Sequence, residues 1–83
     1  MKALYFASVR EHIGKAEEIL APPEEAVTVA DLMHWLAAQG ENYAAAFASA
    51  KTIHAALDRT HVKQDAPLKG AQEIAFFPPM TGG

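Results

Sequence analysis

The feature of this sequence that most constrains the fold is one amphipathic stripe near the middle of the chain. Apolar side chains recur there at the spacing i, i+3, i+4, i+7 and i+8, which is typical of a helix with one buried face. They are Val29, Leu32, Met33, Leu36 and Ala37. An apolar helix face needs a second layer of structure to cover it. We therefore expect a helix from Thr28 to Gly40 that packs on another part of the chain.

Both ends of this helix carry recognisable signals. Thr28 can cap the first turn, and Asp31 three residues later resembles a capping box and places a carboxylate at the positive end of the helix dipole. Gly40 suits the left-handed position that follows a last helical turn.

Segments with strand character flank the helix on both sides. The expected strands are Lys2 to Val9, Ala16 to Ala21, a strand within Ile53 to Val62, and Glu73 to Phe77. A hairpin turn around His12 to Lys15 would join the first two strands, and the alanine-rich segment Glu41 to Ala50 favours a short second helix. Strands before and after one main helix predict an α+β roll, with a mixed sheet packed on that helix.

Length and composition limit what the chain can do. Eighty-three residues are enough for one compact domain, and the many alanines among the 51% of hydrophobic residues leave few large side chains for its core. The net charge of −3 without a basic run argues against nucleic-acid binding. No segment resembles a signal peptide or reaches membrane-spanning length, so we expect a cytoplasmic protein with no membrane partner.

The side chains offer no obvious catalytic centre. The sequence contains no cysteine, which excludes disulfides, thiolate nucleophiles and cysteine-ligated metals. The four histidines are too scattered for a metal motif, and we expect no metal site. They are His12, His34, His54 and His61. Ser8 and Ser49 lie in no nucleophile elbow.

The C-terminal segment has a more specific pattern. A strand ending at Phe77 is followed by Pro78-Pro79 and then by a chain end at Gly82-Gly83. Two prolines favour an extended conformation, so at ~3.1 Å per residue the segment from Pro78 to Gly83 spans on the order of 19 Å. Glycines lack Cβ atoms and can pass through a channel too narrow for side chains. The pattern predicts a tail that inserts its terminal carboxylate into a partner, although an inert flexible end is the simpler alternative.

Three motifs resemble the small subunits of molybdopterin synthase, and the resemblance runs nearly end to end. They are MKALYFASVRE at the start, TVADLMHWLAAQG in the helix and EIAFFPPMTGG at the end. The resemblance implies a ubiquitin-like β-grasp domain over residues 1–77 and an extended tail over residues 78–83.

The resemblance also implies a chemistry for the tail. An ATP-dependent activating enzyme adenylates Gly83, whose carboxylate then becomes a thiocarboxylate. The tail residues Pro78, Pro79, Met80, Thr81 and Gly82 enter the large synthase subunit in a heterotetramer, and sulfur passes to a cyclic pyranopterin phosphate. The chain would be a sulfur-donating subunit, not catalytic alone and without a bound cofactor. A protein without cysteine can carry reactive sulfur only on a carboxylate, which agrees with this chemistry.

A partner interface is implied as well. The resemblance maps an apolar patch from the first and last strands onto Phe6 and Phe77, and it places His61 where an apolar contact residue is expected. The resemblance would favour an Asp-Gly-Asp-Glu turn before the last strand. This chain has Lys69-Gly70-Ala71-Gln72-Glu73 there, so the charge of the turn differs although its glycine remains.

Three alternatives remain open from the sequence. The first is a sulfur carrier of the thiamin-thiazole type, which shares the fold and the Gly-Gly end. The second is a protein modifier joined to lysines through Gly83. The third is an interaction module with an inert tail.

Overall fold

A five-stranded mixed β-sheet forms the centre of the fold in the computed structural model, which describes residues 1–79. The strands are β1 (Lys2–Tyr5), β2 (Glu17–Ile19), β3 (His54–Leu57), β4 (Thr60–Val62) and β5 (Glu73–Phe77). Their spatial order is β2-β1-β5-β3-β4, with β1 parallel to β5 and all other neighbours antiparallel. The α+β class and the mixed sheet predicted from the sequence are confirmed.

Three short helices and one helical turn connect the strands. They are α1 (Ala7–Ile13), α2 (Val29–Ala37), α3 (Glu41–Ala46) and a 3-10 turn (Ala50–Thr52). No helix within residues 1–79 has the length and apolar character needed to cross a membrane.

The predicted capping box of α2 is present. The Thr28 hydroxyl accepts a hydrogen bond from the Asp31 amide at 3.1 Å, and the Asp31 carboxylate accepts from the amides of Thr28 at 3.1 Å and Val27 at 3.0 Å. These amides, that of Thr28 foremost, hold the pKa of Asp31 below its usual range. The prediction for Gly40 is wrong. Ala38 ends the helix in a right-handed conformation, and Gly40 is extended backbone that leads into α3.

The first strand is shorter than predicted, and no hairpin joins it to the second. The chain leaves the sheet after Tyr5 and forms α1, because Val9 and Ile13 lie four residues apart and both bury their side chains in the core. Gly14, at φ 86°, ends this helix with its amide bonded to the Arg10 carbonyl. β1 and β2 still pair antiparallel, but with a helix between them.

The segment predicted to contain one strand, Ile53 to Val62, forms two. Asp58 and Arg59, at φ 46° and 72°, make a tight turn between β3 and β4. The Asp58 carboxylate accepts hydrogen bonds from the amides of Gln72 and Glu73, both at 3.0 Å, which ties this turn to the start of β5. The last strand has the predicted bounds, Glu73–Phe77.

Alternate residues of the sheet face the core. Phe76 is completely buried and packs its ring against Tyr5 at 6.3 Å and against Phe47 at 5.2 Å between centroids. The buried faces of α1 and α2 belong to the same hydrophobic cluster. Because side chains alternate along a strand, the other face of the sheet carries the remaining half of the strand residues. Those residues are exposed or half-buried, so one face of the sheet is accessible.

Candidate functional site

The tail predicted from the sequence starts at the end of the sheet's central strand. β5 lies between β1 and β3 and delivers the chain to Pro78, which is half-buried, and Pro79, which is exposed. The predicted site residues Met80, Thr81, Gly82 and Gly83 lie outside the described residues.

The accessible side of the sheet, which we call the open face, has an apolar centre. Strand register pairs Leu4 with Ala75, and Ala75 with Ala56. Residues directly opposite each other in neighbouring strands project to the same side, so these three side chains form one row across the sheet. None of the three was predicted as a site residue, because the pairing that brings them together depends on strand register and not on local sequence.

Phe6 and Phe77 lie at one end of this open face. Phe6 follows β1, and its amide donates a 3.1 Å hydrogen bond to the Phe76 carbonyl, which extends the β1–β5 ladder by one residue. Phe6 therefore occupies the register position beside Phe77, with 47% of its surface exposed. The structure brings together the two residues that the resemblance assigned to a partner patch.

His61 also lies on the open face, opposite Ala56 on β3. Its Nε2 atom is 3.3 Å from Nδ1 of His54, and both imidazoles lie against the Phe77 ring. The ring centroids are 5.8 Å apart for His54 and Phe77 and 5.6 Å apart for His61 and Phe77. His54 was missed from sequence, although it stands two residues before Ala56 and so shares its face.

Charged groups surround the other end of the sheet. Lys2 and Glu17 form a 3.0 Å ion pair between β1 and β2. A polar depression of about 510 Å³ lies beside the start of β5. It is lined by Lys2, Asp58, Arg59, Gly70, Gln72 and Glu73. It is at the opposite end of β5 from Pro78, so we do not associate it with the tail.

A polar cluster on the core side holds β1 and β2 against α3. The Glu18 carboxylate accepts hydrogen bonds from the hydroxyls of Tyr5 and Tyr43, each at 2.7 Å, and from Lys15 at 3.1 Å. Partial burial opposes the charge of Glu18, but the three donors outweigh it and lower the pKa of Glu18. Burial and the neighbouring carboxylate raise the pKa of Tyr5. The cluster fixes the edge of the sheet behind the open face.

The fold matches that of a solved structure over the whole length of the chain. SAMP1 from Haloferax volcanii superposes with a TM-score of 0.72 over 100% of this chain and 98% of that chain, at 21% sequence identity. The strand order and this likeness define a ubiquitin-like β-grasp protein.

Sequence comparison narrows the class to a family. The model of the ThiS family matches residues 3–83, and the chain belongs to this family. It is 43% identical over 84 residues to the molybdopterin synthase sulfur carrier subunit of Escherichia coli (strain K12), covering 100% of this chain and 99% of the relative. The protein of the same name from Haemophilus influenzae is 32% identical over 83 residues, with 100% and 99% covered.

Proposed function

We propose that this chain is the sulfur carrier subunit of a molybdopterin synthase and that Gly83 carries the sulfur. The observation that supports this most strongly is the end-to-end match to relatives of that name. In the sequence, Pro78-Pro79 follows the central strand β5 directly, and Gly82-Gly83 comes after Met80 and Thr81, which agrees with this role. The folded body then serves to present the tail.

The chemistry follows from the weakness of a carboxylate as an electrophile. A separate ATP-dependent enzyme joins the Gly83 carboxylate to AMP and releases pyrophosphate, which gives the acyl carbon a good leaving group. A sulfur donor then displaces AMP and leaves a thiocarboxylate. ATP is bound and used by the activating enzyme, and the carrier itself needs no cofactor.

In the second stage the thiocarboxylate meets its acceptor in the large synthase subunit, within a heterotetramer. The large subunit supplies the active site, and the carrier donates sulfur to cyclic pyranopterin monophosphate. Two such donations give the dithiolene of molybdopterin. Each donation returns Gly83 to a carboxylate after water cleaves the acyl bond.

We expect the large subunit to bind the open face. Its apolar row of Leu4, Ala56 and Ala75 leads toward Phe6 and Phe77, and Phe77 is followed at once by the tail. When a partner covers half-buried apolar side chains, the apolar surface removed from water contributes favourably to the free energy of binding. Rigid Pro78 and Pro79 lose little entropy when the tail is inserted.

The decisive experiment follows the sulfur on the intact protein. The carrier is incubated with its activating enzyme, ATP and a sulfur donor, and its intact mass is compared with a reaction without ATP. We expect exchange of one oxygen for sulfur at Gly83, together with reactivity toward a thiol-selective alkylating reagent. Methionine oxidation adds nearly the same mass as this exchange, so alkylation is required to identify it. Loss of the exchange in the presence of all components would contradict the proposal.

A sulfur carrier for thiazole synthesis is the second candidate, since the chain matches the ThiS family over residues 3–83. Both carriers would pass the mass experiment. They differ in the acceptor, because only a synthase subunit supports dithiolene formation when mixed with the large subunit and its pterin substrate.

A further inference from the structure

The two imidazoles on the open face share one hydrogen-bonding contact. Nε2 of His61 lies 3.3 Å from Nδ1 of His54, and the rings meet nearly edge to face, with centroids 5.2 Å apart. Both rings are held against Phe77. Packing against the Phe77 ring therefore restricts the orientation of both imidazoles.

This contact fixes what the pair can offer to a partner. Two neutral imidazoles have four ring nitrogens, two that carry hydrogen and two that accept. The contact between them uses one donor and one acceptor. Whichever tautomer is present, Nε2 of His54 and Nδ1 of His61 are left as one donor and one acceptor. Within residues 1–79 neither of these two atoms makes a further hydrogen bond.

A metal ion is a weaker explanation for the pair. No cluster of three or more His, Asp or Glu side chains within residues 1–79 could hold a metal ion. Two imidazoles without a third ligand make an incomplete zinc site. Hydrogen bonding to a partner makes use of the geometry as it stands.

The pair lies where a partner that receives the tail must make contact. Phe77, against which both rings pack, is the last residue of β5 and is followed directly by Pro78. A protein that accepts the tail and covers the open face therefore buries the two free ring nitrogens. A buried donor or acceptor without a partner lowers affinity, so an entirely apolar surface is a poor match.

We propose that His54 and His61 determine partner choice. The large subunit that fits this carrier presents an amide or hydroxyl side chain, able both to donate and to accept, opposite the two free ring nitrogens. The inference rests on the proposed function, because it takes the large synthase subunit as the occupant of the open face.

The test measures the affinity of the complete carrier for the large subunit from the same genome by titration calorimetry. At pH 8, imidazole side chains are ordinarily neutral. The double variant His54→Leu/His61→Leu keeps apolar bulk but removes the free ring nitrogens. The double variant His54→Gln/His61→Asn keeps a polar atom near each of those two positions. His34→Leu, an exposed change on α2 away from the sheet, is the matched control.

We expect the leucine pair to weaken binding by about 10- to 100-fold, the Gln/Asn pair to stay within a few-fold of the parent, and His34→Leu to have no effect. If the leucine double variant aggregates, the single variant His61→Leu replaces it, and we expect it also to bind more weakly than the parent. Equal or tighter binding by the leucine variants overturns the inference alone. No binding by the parent carrier overturns the proposed function together with it.

Discussion

The hydroxyl of Tyr5 donates a 2.7 Å hydrogen bond to Oε2 of Glu18, across the paired strands β1 and β2. The Tyr43 hydroxyl donates to the same oxygen from α3. One carboxylate atom therefore links the sheet edge to a helix. Replacing Glu18 by Gln removes the charge that both hydroxyls bind, and we expect a loss of about 1 to 3 kcal/mol in the free energy of unfolding, measured in urea at neutral pH.

The neighbouring Glu17→Gln is a suitable control for this change. Its ion pair with Lys2 is exposed, with 55% of the Glu17 side chain accessible, so it should contribute at most about 0.5 kcal/mol. Similar losses for the two variants would show that the Tyr5–Glu18 contact does not stabilise the sheet edge.

The contribution of Glu18 to stability should also depend on pH. The pKa of Glu18 is lowered in the folded chain, so its contribution is present above the ordinary value of 4.5 and is lost as the pH falls through the lower folded value. The difference in stability between the parent and Glu18→Gln should therefore shrink below pH 4.5. A difference that stays constant into acid would contradict this assignment.

Phe76 and Phe77 are adjacent in sequence but lie on opposite faces of β5. We therefore expect substitution of Phe76 to lower stability and substitution of Phe77 to lower affinity for the large subunit. Phe76→Ala empties a completely buried site and should cost about 3 to 5 kcal/mol of stability. Phe77→Ala should cost on the order of 1 kcal/mol. Phe77→Asp should leave the fold intact and weaken binding to the large subunit by roughly 2 kcal/mol, or about 30-fold, because it places a charge in a desolvated patch. Unchanged affinity would remove Phe77 from the interface.

Deleting Gly83 should abolish sulfur transfer without changing thermal stability. The buried hydrophobic residues of the described chain lie between Ala3 and Phe76, so we expect the deletion to leave the core unchanged. The measurement pairs a thermal melt with the mass assay for the thiocarboxylate. Adding a residue after Gly83 is the companion change, since it blocks the same carboxylate. Sulfur transfer by either variant would show that the Gly83 carboxylate is not the group that carries the sulfur.

Thr28→Ala removes the side-chain oxygen that caps α2 and should lower the free energy of unfolding by about 1 kcal/mol. Thr28→Ser keeps the oxygen and should retain most of that stability. If the serine variant is as unstable as the alanine variant, the cap hydrogen bond is not the source of the effect.

The sequence was sufficient wherever local signals agreed with the final fold. The stripe and N-terminal cap of α2 were predicted because its apolar residues follow a clear helical period, and the end of β5 was predicted because two prolines follow Phe77. α1 was missed because the alternating apolar residues before Val9 favoured a longer strand, although the spacing of Val9 and Ile13 is helical. The β3–β4 turn was missed because Asp58 and Arg59 adopt left-handed conformations without a glycine to signal them.

The candidate site was predictable only in part for a different reason. Phe6 and Phe77 came from the resemblance, whereas His54 became visible as a partner of His61 only after the register of three strands was known. Strand pairing depends on residues that are distant in the sequence, so the local sequence around His54 and His61 does not show that the two side chains meet.

The parallel pairing of β1 with β5 places the first and last strands side by side, with β5 in the interior of the sheet. A chain cut short before Glu73 would therefore lack the central strand of the sheet, and with it Ala75 and Phe77 of the open face. Only a polypeptide synthesised through its last strand can therefore complete the open face, which is the surface that we expect the large subunit to contact.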